Sequence, residues 1–388
     1  MFDDHCKFNE TLLRFFGLWP YERTVCERLR AICFNMLFIS HVIAEFAQFA
    51  IVDFFNVNIT IRILRDAITT FLIFVIFNMF FLNTKKLKRI LDEIINNRRM
   101  ITDSQEIEIL DYYAYKGKKI IVTILSLVMC ITFMTFVSGL LPDIFDVLWP
   151  LNESRVHDLL VMKEYKINEG IQYYIFCYYS IICINIGGIV TTFIISTLLS
   201  INLHCCAIYK VCSYRIKQFV DKEVIACSSK GNVNERIIKT VELHRKAKKL
   251  FKLITTSFTM SYLIMAVAGM CGFAMSLYGL LNVIIYKYDL TELLTTACFI
   301  IGYEFCLFTI TIMGQLLINH SDELFKSLYM SLWYEAPITV QKSILFIMQI
   351  SVKSLVMNLG GVLEVAMQTF TSITNMSISF MMIFFSIQ

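Results

Sequence analysis

Residues 204–252 read HCCAIYKVCSYRIKQFVDKEVIACSSKGNVNERIIKTVELHRKAKKLFK and carry 12 of the 35 Lys and Arg in the chain. The stretches on either side, 171–203 and 253–281, are long, apolar and without a charged residue. Five more apolar stretches lie at 31–51, 67–82, 120–141, 293–318 and 356–387. The connections that alternate with 204–252, namely 1–30, 83–119 and 319–353, hold 5, 9 and 3 basic residues. The intervening connections hold only Arg62 and Arg65, then Arg155, Lys163 and Lys166, then Lys287, so the split is 29 against 6. Short basic connections stay cytoplasmic. The pattern therefore predicts an all-α integral membrane protein with seven transmembrane helices, the N-terminus cytoplasmic and the C-terminus extracellular.

That orientation is opposite to the one G-protein-coupled receptors adopt, and the Asp-Arg-Tyr and Asn-Pro-x-x-Tyr signatures are absent. The chain is 57% hydrophobic and 17% charged, against roughly 25% charged in soluble domains; its mean hydropathy is +0.64. Each stretch except the second exceeds the ~20 residues that span a ~30 Å hydrocarbon core. No cleavable signal peptide is expected ahead of the first span, because 1–30 is acidic in places and has no long apolar run. The net charge of +4 belongs to the cytoplasmic connections, a placement that suits the inner leaflet and not a nucleic acid. None of the 13 cysteines falls in the outer connections, so no disulfide is expected. Adjacent Cys205 and Cys206 after His204 do not have metal-ligand spacing, and no metal or cofactor is expected. Asn58 and Asn152 head glycosylation sequons on the side read as extracellular.

No linker or internal repeat divides residues 1–388, so one membrane domain is expected, with 1–353 holding six helices and 354–388 the last. Leu87, Ile90, Leu91, Ile94 and Ile95 recur at helical spacing among Lys and Arg, as do Ile237, Ile238, Val241, Leu243 and Leu250. Helices 2–6 are thus expected to extend into the cytoplasm. The basic run 235–254 reads as such an extension rather than a calmodulin target. No phosphate loop, catalytic triad or H-E-x-x-H pattern appears, and nothing argues for an enzyme.

The last stretch differs. From Gln368 to Ser379 it reads QTFTSITNMSIS, and Gln368, Ser372, Asn375 and Ser379 share one helical face that continues to Ile383 and Ile387. Such a stripe can line a wetted pore closed by an apolar constriction, or it can pack against other helices. As one helix from 354 to 387 it would run 34 residues, or about 51 Å.

These features, together with several motifs, resemble the insect odorant receptors, specifically their ligand-specific subunits. The motifs are Gly17-Leu18-Trp19-Pro20, Gly314-Gln315, and 321–351 with its Tyr329-x-x-x-Trp333-Tyr334-x-x-Pro337 core and Gln341-Lys342. Thr369-Phe370 and Ser379-Phe380 follow the family's ending loosely. Gustatory receptors, which end in Thr-Tyr, five apolar residues and Gln-Phe, match in spacing but not in residues. The shared co-receptor has a longer second cytoplasmic connection than 204–252. The resemblance implies an odorant-gated, non-selective cation channel subunit, working as a heterotetramer with the co-receptor in the dendritic plasma membrane of olfactory neurons. It also implies that the last helix lines the pore and that a small volatile organic ligand sits among spans 2–6. Candidate pocket residues are Phe71, Phe74, Met134, Ser138, Tyr174, Tyr178, Phe273, Tyr278 and Phe299, with the Tyr174 and Tyr178 hydroxyls on one face able to orient an oxygenated ligand. The alternatives are a gustatory-type channel, a non-channel seven-helix receptor, or a carrier or structural membrane protein, although the matched halves usual in carriers are not visible.

Overall fold

The computed structural model describes all residues except 1–9, 12, 22–23, 48–56, 149–170, 220–229, 287–289, 360, 362 and 388. The long helices are α1 (Val25–Ala47), α2 (Val57–Leu82), α3 (Thr84–Arg99), α4 (Ser104–Leu148), α5 (Ile171–Phe219), α6 (Lys230–Tyr286) and α7 (Leu290–Tyr329). A short α8 (Ile338–Ser351) and the final α9 (Met367–Ile387) follow. Among the described residues seven helices are long and apolar enough to cross a membrane, all of these but α3 and α8. The fold is the expected seven-helix one.

The 57 residues of α6 measure about 85 Å, far more than the ~30 Å of hydrocarbon. The surplus lies at the basic end of the bundle, where α4, α5, α6 and α7 continue as packed helices. The apolar spacing noted in 83–119 explains why: Leu87, Ile90 and Ile94 of α3 are buried while the Lys and Arg between them stay outside. Span 2 reaches this region by a break, since α2 stops at Leu82 and α3 restarts at Thr84. Charged pairs lock the ends together. Arg215 grips Glu106 with two parallel bonds, of 2.6 and 2.7 Å, the fork geometry in which Arg–carboxylate pairs are strongest. Arg98 pairs with Asp111 at 3.1 Å, and Lys210 pairs with Glu323.

The motifs near the chain ends have plain structural work here. Gly17 adopts φ +67°, a left-handed conformation that costs glycine nothing, and turns Leu18 into the core, where it is fully buried. Tyr21 then donates to Asp92 at 2.6 Å; burial and that carboxylate hold the phenol protonated well above its usual range. Trp333–Glu335 form a 3-10 turn, Pro337 starts α8, and the Gln341 amide donates to the carbonyls of Tyr334 and Ala336, both at 2.8 Å. The Tyr334 ring is exposed; in this corner its carbonyl is what the turn uses.

One expectation is corrected. The stretch from 354 to 387 is not a single helix. Residues Asn358–Leu359 (β1) and Leu363–Glu364 (β2) pair as a small antiparallel hairpin, and α9 begins only at Met367. Glycine at 360 and 361 is the reason, Gly361 taking φ +77°, which a continuing helix does not permit. The 21 residues of α9 measure about 31 Å, close to one hydrocarbon thickness. Glu364, expected inside a long helix, lies in the hairpin.

Candidate functional site

Packing is densest at the basic end and opens toward the other. There α2, α4, α5, α6 and α7 surround a cavity of about 230 Å³, flanked by the hairpin and the first turns of α9. Glycine makes much of the room. Gly269 and Gly302 both line the cavity, and a Cβ at either would meet nothing within 4 Å. Elsewhere glycine allows contact instead: a Cβ on Gly187 would fall 2.7 Å from Ile73, and one on Gly272 2.2 Å from the Tyr303 hydroxyl.

The wall is predominantly hydrocarbon, and most of its polar groups are spent internally. Thr69 and Tyr303 share a hydrogen bond of 2.7 Å. Thr135 donates to Asn185, whose amide donates to the Ile181 carbonyl. Thr192, Thr309 and Thr311 each return their hydroxyl to the carbonyl four residues back, as threonine does in apolar helices. Beyond the wall, Phe299 separates the cavity from a buried charge cluster. The Arg65 guanidinium lies 4.9 Å from the Phe299 ring centroid, bonds Asp66 at 2.8 Å and Thr296 at 3.2 Å, while Arg62 pairs with Glu292. Charges this deep persist only when paired.

Of the residues singled out by sequence, Phe273 and Phe299 line the cavity. Phe71 and Phe74 are partly buried on α2 outside it, and Met134 is 43% exposed on α4. Tyr178 is 36% exposed and off the cavity; its neighbour Tyr179 turns inward, sharing a 2.7 Å hydrogen bond with Ser40 and packing on His41. Tyr278 is buried in a separate cluster with Ile61, Met275 and Met381, and donates to Asn58. That bond occupies the side chain of the Asn58 sequon, in the first turn of α2. The side chains of Ser138, Tyr174 and Ile387, and all of Asn152, lie outside the described residues. Thr191, Tyr262, Gly269, Gly302 and Tyr303 line the cavity and were not singled out. Glycines inside apolar helices were the readable signal for two of them.

On α9 a narrow strip is buried and the rest of the helix is open. Ile373, Ser377 and Met381 are buried against the bundle, while Gln368, Ser372, Asn375, Ser379 and Ile383 are all exposed, as are the apolar Met376, Ile378, Phe380 and Met382. The buried face is fastened to the cavity wall. Ser377 donates to the Met270 carbonyl at 3.2 Å, and Thr374 donates to the Glu304 carboxylate at 3.2 Å; Met270, Glu304, Thr369 and Ile373 all line the cavity. The start of α9 is held by Gln315, which accepts from the Met367 amide at 3.2 Å. At Gly314 a Cβ would lie 1.9 Å from the Val365 carbonyl oxygen, so only glycine lets the hairpin rest on α7.

Residues 56–378 match the sequence model of the 7tm odorant receptor family. The fold is similar to the insect olfactory receptor OR5 of Machilis hrabei solved in complex with eugenol, with a TM-score of 0.81 and 10% identity over 100% of this chain and 98% of that one. A second structure of the same receptor gives a TM-score of 0.76 at the same identity and coverage. No curated protein sequence matches.

Proposed function

This chain belongs to the 7tm odorant receptor family, and from that premise we propose that it is the ligand-specific subunit of an odorant-gated, non-selective cation channel. The observation that carries the reading is the exposed polar face of α9. Ser372, Asn375 and Ser379 stand open on a helix one membrane thick. Ser372 and Ser379 return their hydroxyls to the carbonyls of Gln368 and Asn375. The Asn375 amide makes no hydrogen bond within the described residues and would be costly against lipid; water in a pore shared with other subunits satisfies it. The cavity, lying against the opposite face of α9, is the site for a small volatile ligand. At about 230 Å³ it falls below the roughly 300–1,000 Å³ of drug-sized sites. The similar fold that holds eugenol supports a ligand of that scale.

The partner is the shared co-receptor, in a heterotetramer in the dendritic plasma membrane, with the N-terminus cytoplasmic and the C-terminus extracellular. The 29-to-6 charge split supports that orientation, and Arg62 and Arg65, the far-side exceptions on α2, are paired with Glu292 and Asp66. Asn152 and, if its bond to Tyr278 opens, Asn58 are the glycan acceptors. Expression with and without the co-receptor, with current recorded across an odorant panel, tests the whole reading. Odorant-evoked cation current is expected only with the co-receptor; current without it, or none in its presence at normal surface levels, contradicts the assignment.

A further inference from the structure

Among the described residues, two hydroxyls of cavity-lining residues have no protein partner, but the Thr191 oxygen is enclosed by protein and out of reach of a ligand. Tyr262 is 6% exposed, lines the same cavity and makes no hydrogen bond. A buried donor left unmade is costly, and native structures satisfy nearly all such groups.

Phe80 of α2 stacks on Phe258 of α6 with centroids 5.8 Å apart. Four residues on from Phe258 is Tyr262, which places that residue at the level of Ile76, itself on the wall. Phe273, at the other end, is eleven residues from Tyr262 along α6, or about 16 Å. No basic side chain of the described residues opens onto the space between, since Arg65 is shut behind Phe299. The one carboxylate on the wall, Glu304, accepts from Thr374 where α9 docks and repels an anionic ligand.

We propose that the cavity selects an elongated, uncharged ligand, hydrocarbon for most of its length, ending in an acceptor oxygen of a ketone, aldehyde or ester that the Tyr262 hydroxyl holds. The proposal deepens the channel reading only in taking this cavity as the ligand site. It moves the oxygen-recognising role from Tyr174 and Tyr178 to a residue deeper in the bundle.

The test compares a 2-alkanone with the n-alkane of equal length on the full chain assembled with the co-receptor. Two readouts run in parallel, evoked current in cells and calorimetric binding to the purified assembly, each normalised to assembled protein. Tyr262→Phe, which keeps shape and removes only the donor, is expected to weaken the ketone roughly 5- to 150-fold and leave the alkane unchanged. Tyr178→Phe is expected to change neither. Equal wild-type potency of ketone and alkane, or an unchanged ketone in Tyr262→Phe, overturns the proposal, as does binding of neither ligand. Selective loss of ketone binding in an assembly that never conducts supports the site and overturns the channel reading instead.

Discussion

A ligand-independent cation current several-fold above wild type is expected from Ile383→Ser. Ile383 is 50% exposed on the face of α9 that carries Ser372, Asn375 and Ser379, one turn beyond Ser379. An apolar ring at the end of a polar path closes by excluding water, and a hydroxyl at that ring admits it. Ile387, one turn further along the same face, is expected to act likewise when replaced by Ser. Each mutant ring also contains the co-receptor's residues, so the leak is partial and is scored against surface expression. Wild-type resting current and unaltered permeability to large cations in both variants would return these isoleucines to ordinary packing.

Gly314→Ala is expected to abolish evoked current and most surface expression. Its Cβ would lie 1.9 Å from the Val365 carbonyl oxygen, and backbone cannot yield as the tip of a side chain does. Overpacking of this kind costs about 1–3 kcal/mol, occasionally more. Here the displaced segment is the hairpin that leads into α9, whose first turn is held through Gln315. Gly302→Ala is the matched control, because its Cβ meets nothing within 4 Å. That variant should reach the surface normally and lose response to the longest ligands first, since the methyl takes room from the cavity. Surface labelling and ligand-length series on the two variants check both outcomes; normal current from Gly314→Ala contradicts the docking described.

The crossings were legible because they rest on long apolar stretches interrupted by dense basic runs, a signal that tertiary packing does not override. The stripe on α9 was legible for a similar reason: Ser372, Asn375 and Ser379 keep strict helical spacing, and the structure leaves that spacing on the open face. The extent of α9 was not, because Val356 to Val365 is apolar enough to pass for helix and only the glycines at 360 and 361 oppose it. The pocket was the least legible part. Phe71, Tyr178 and Phe273 carry the same chemistry in the sequence, and what separates them is helix rotation, set by partners such as Gly187 against Ile73 and Tyr179 against Ser40. The free hydroxyl of Tyr262 was invisible for the same cause, since partnership is decided only once the helices pack.

Accessibility of α9 to a thiol-reactive cation during ligand-evoked current probes the central claim most directly. Single cysteines at Ser372, Asn375 and Ser379, and at Ile373, Ser377 and Met381 as the opposite face, are compared with the rate for the wild-type chain and its native cysteines. Irreversible block at the first three, with wild-type rates at the second three, is the result expected of a pore-lining face. Equal rates on both faces, or faster block at the buried face, would contradict it.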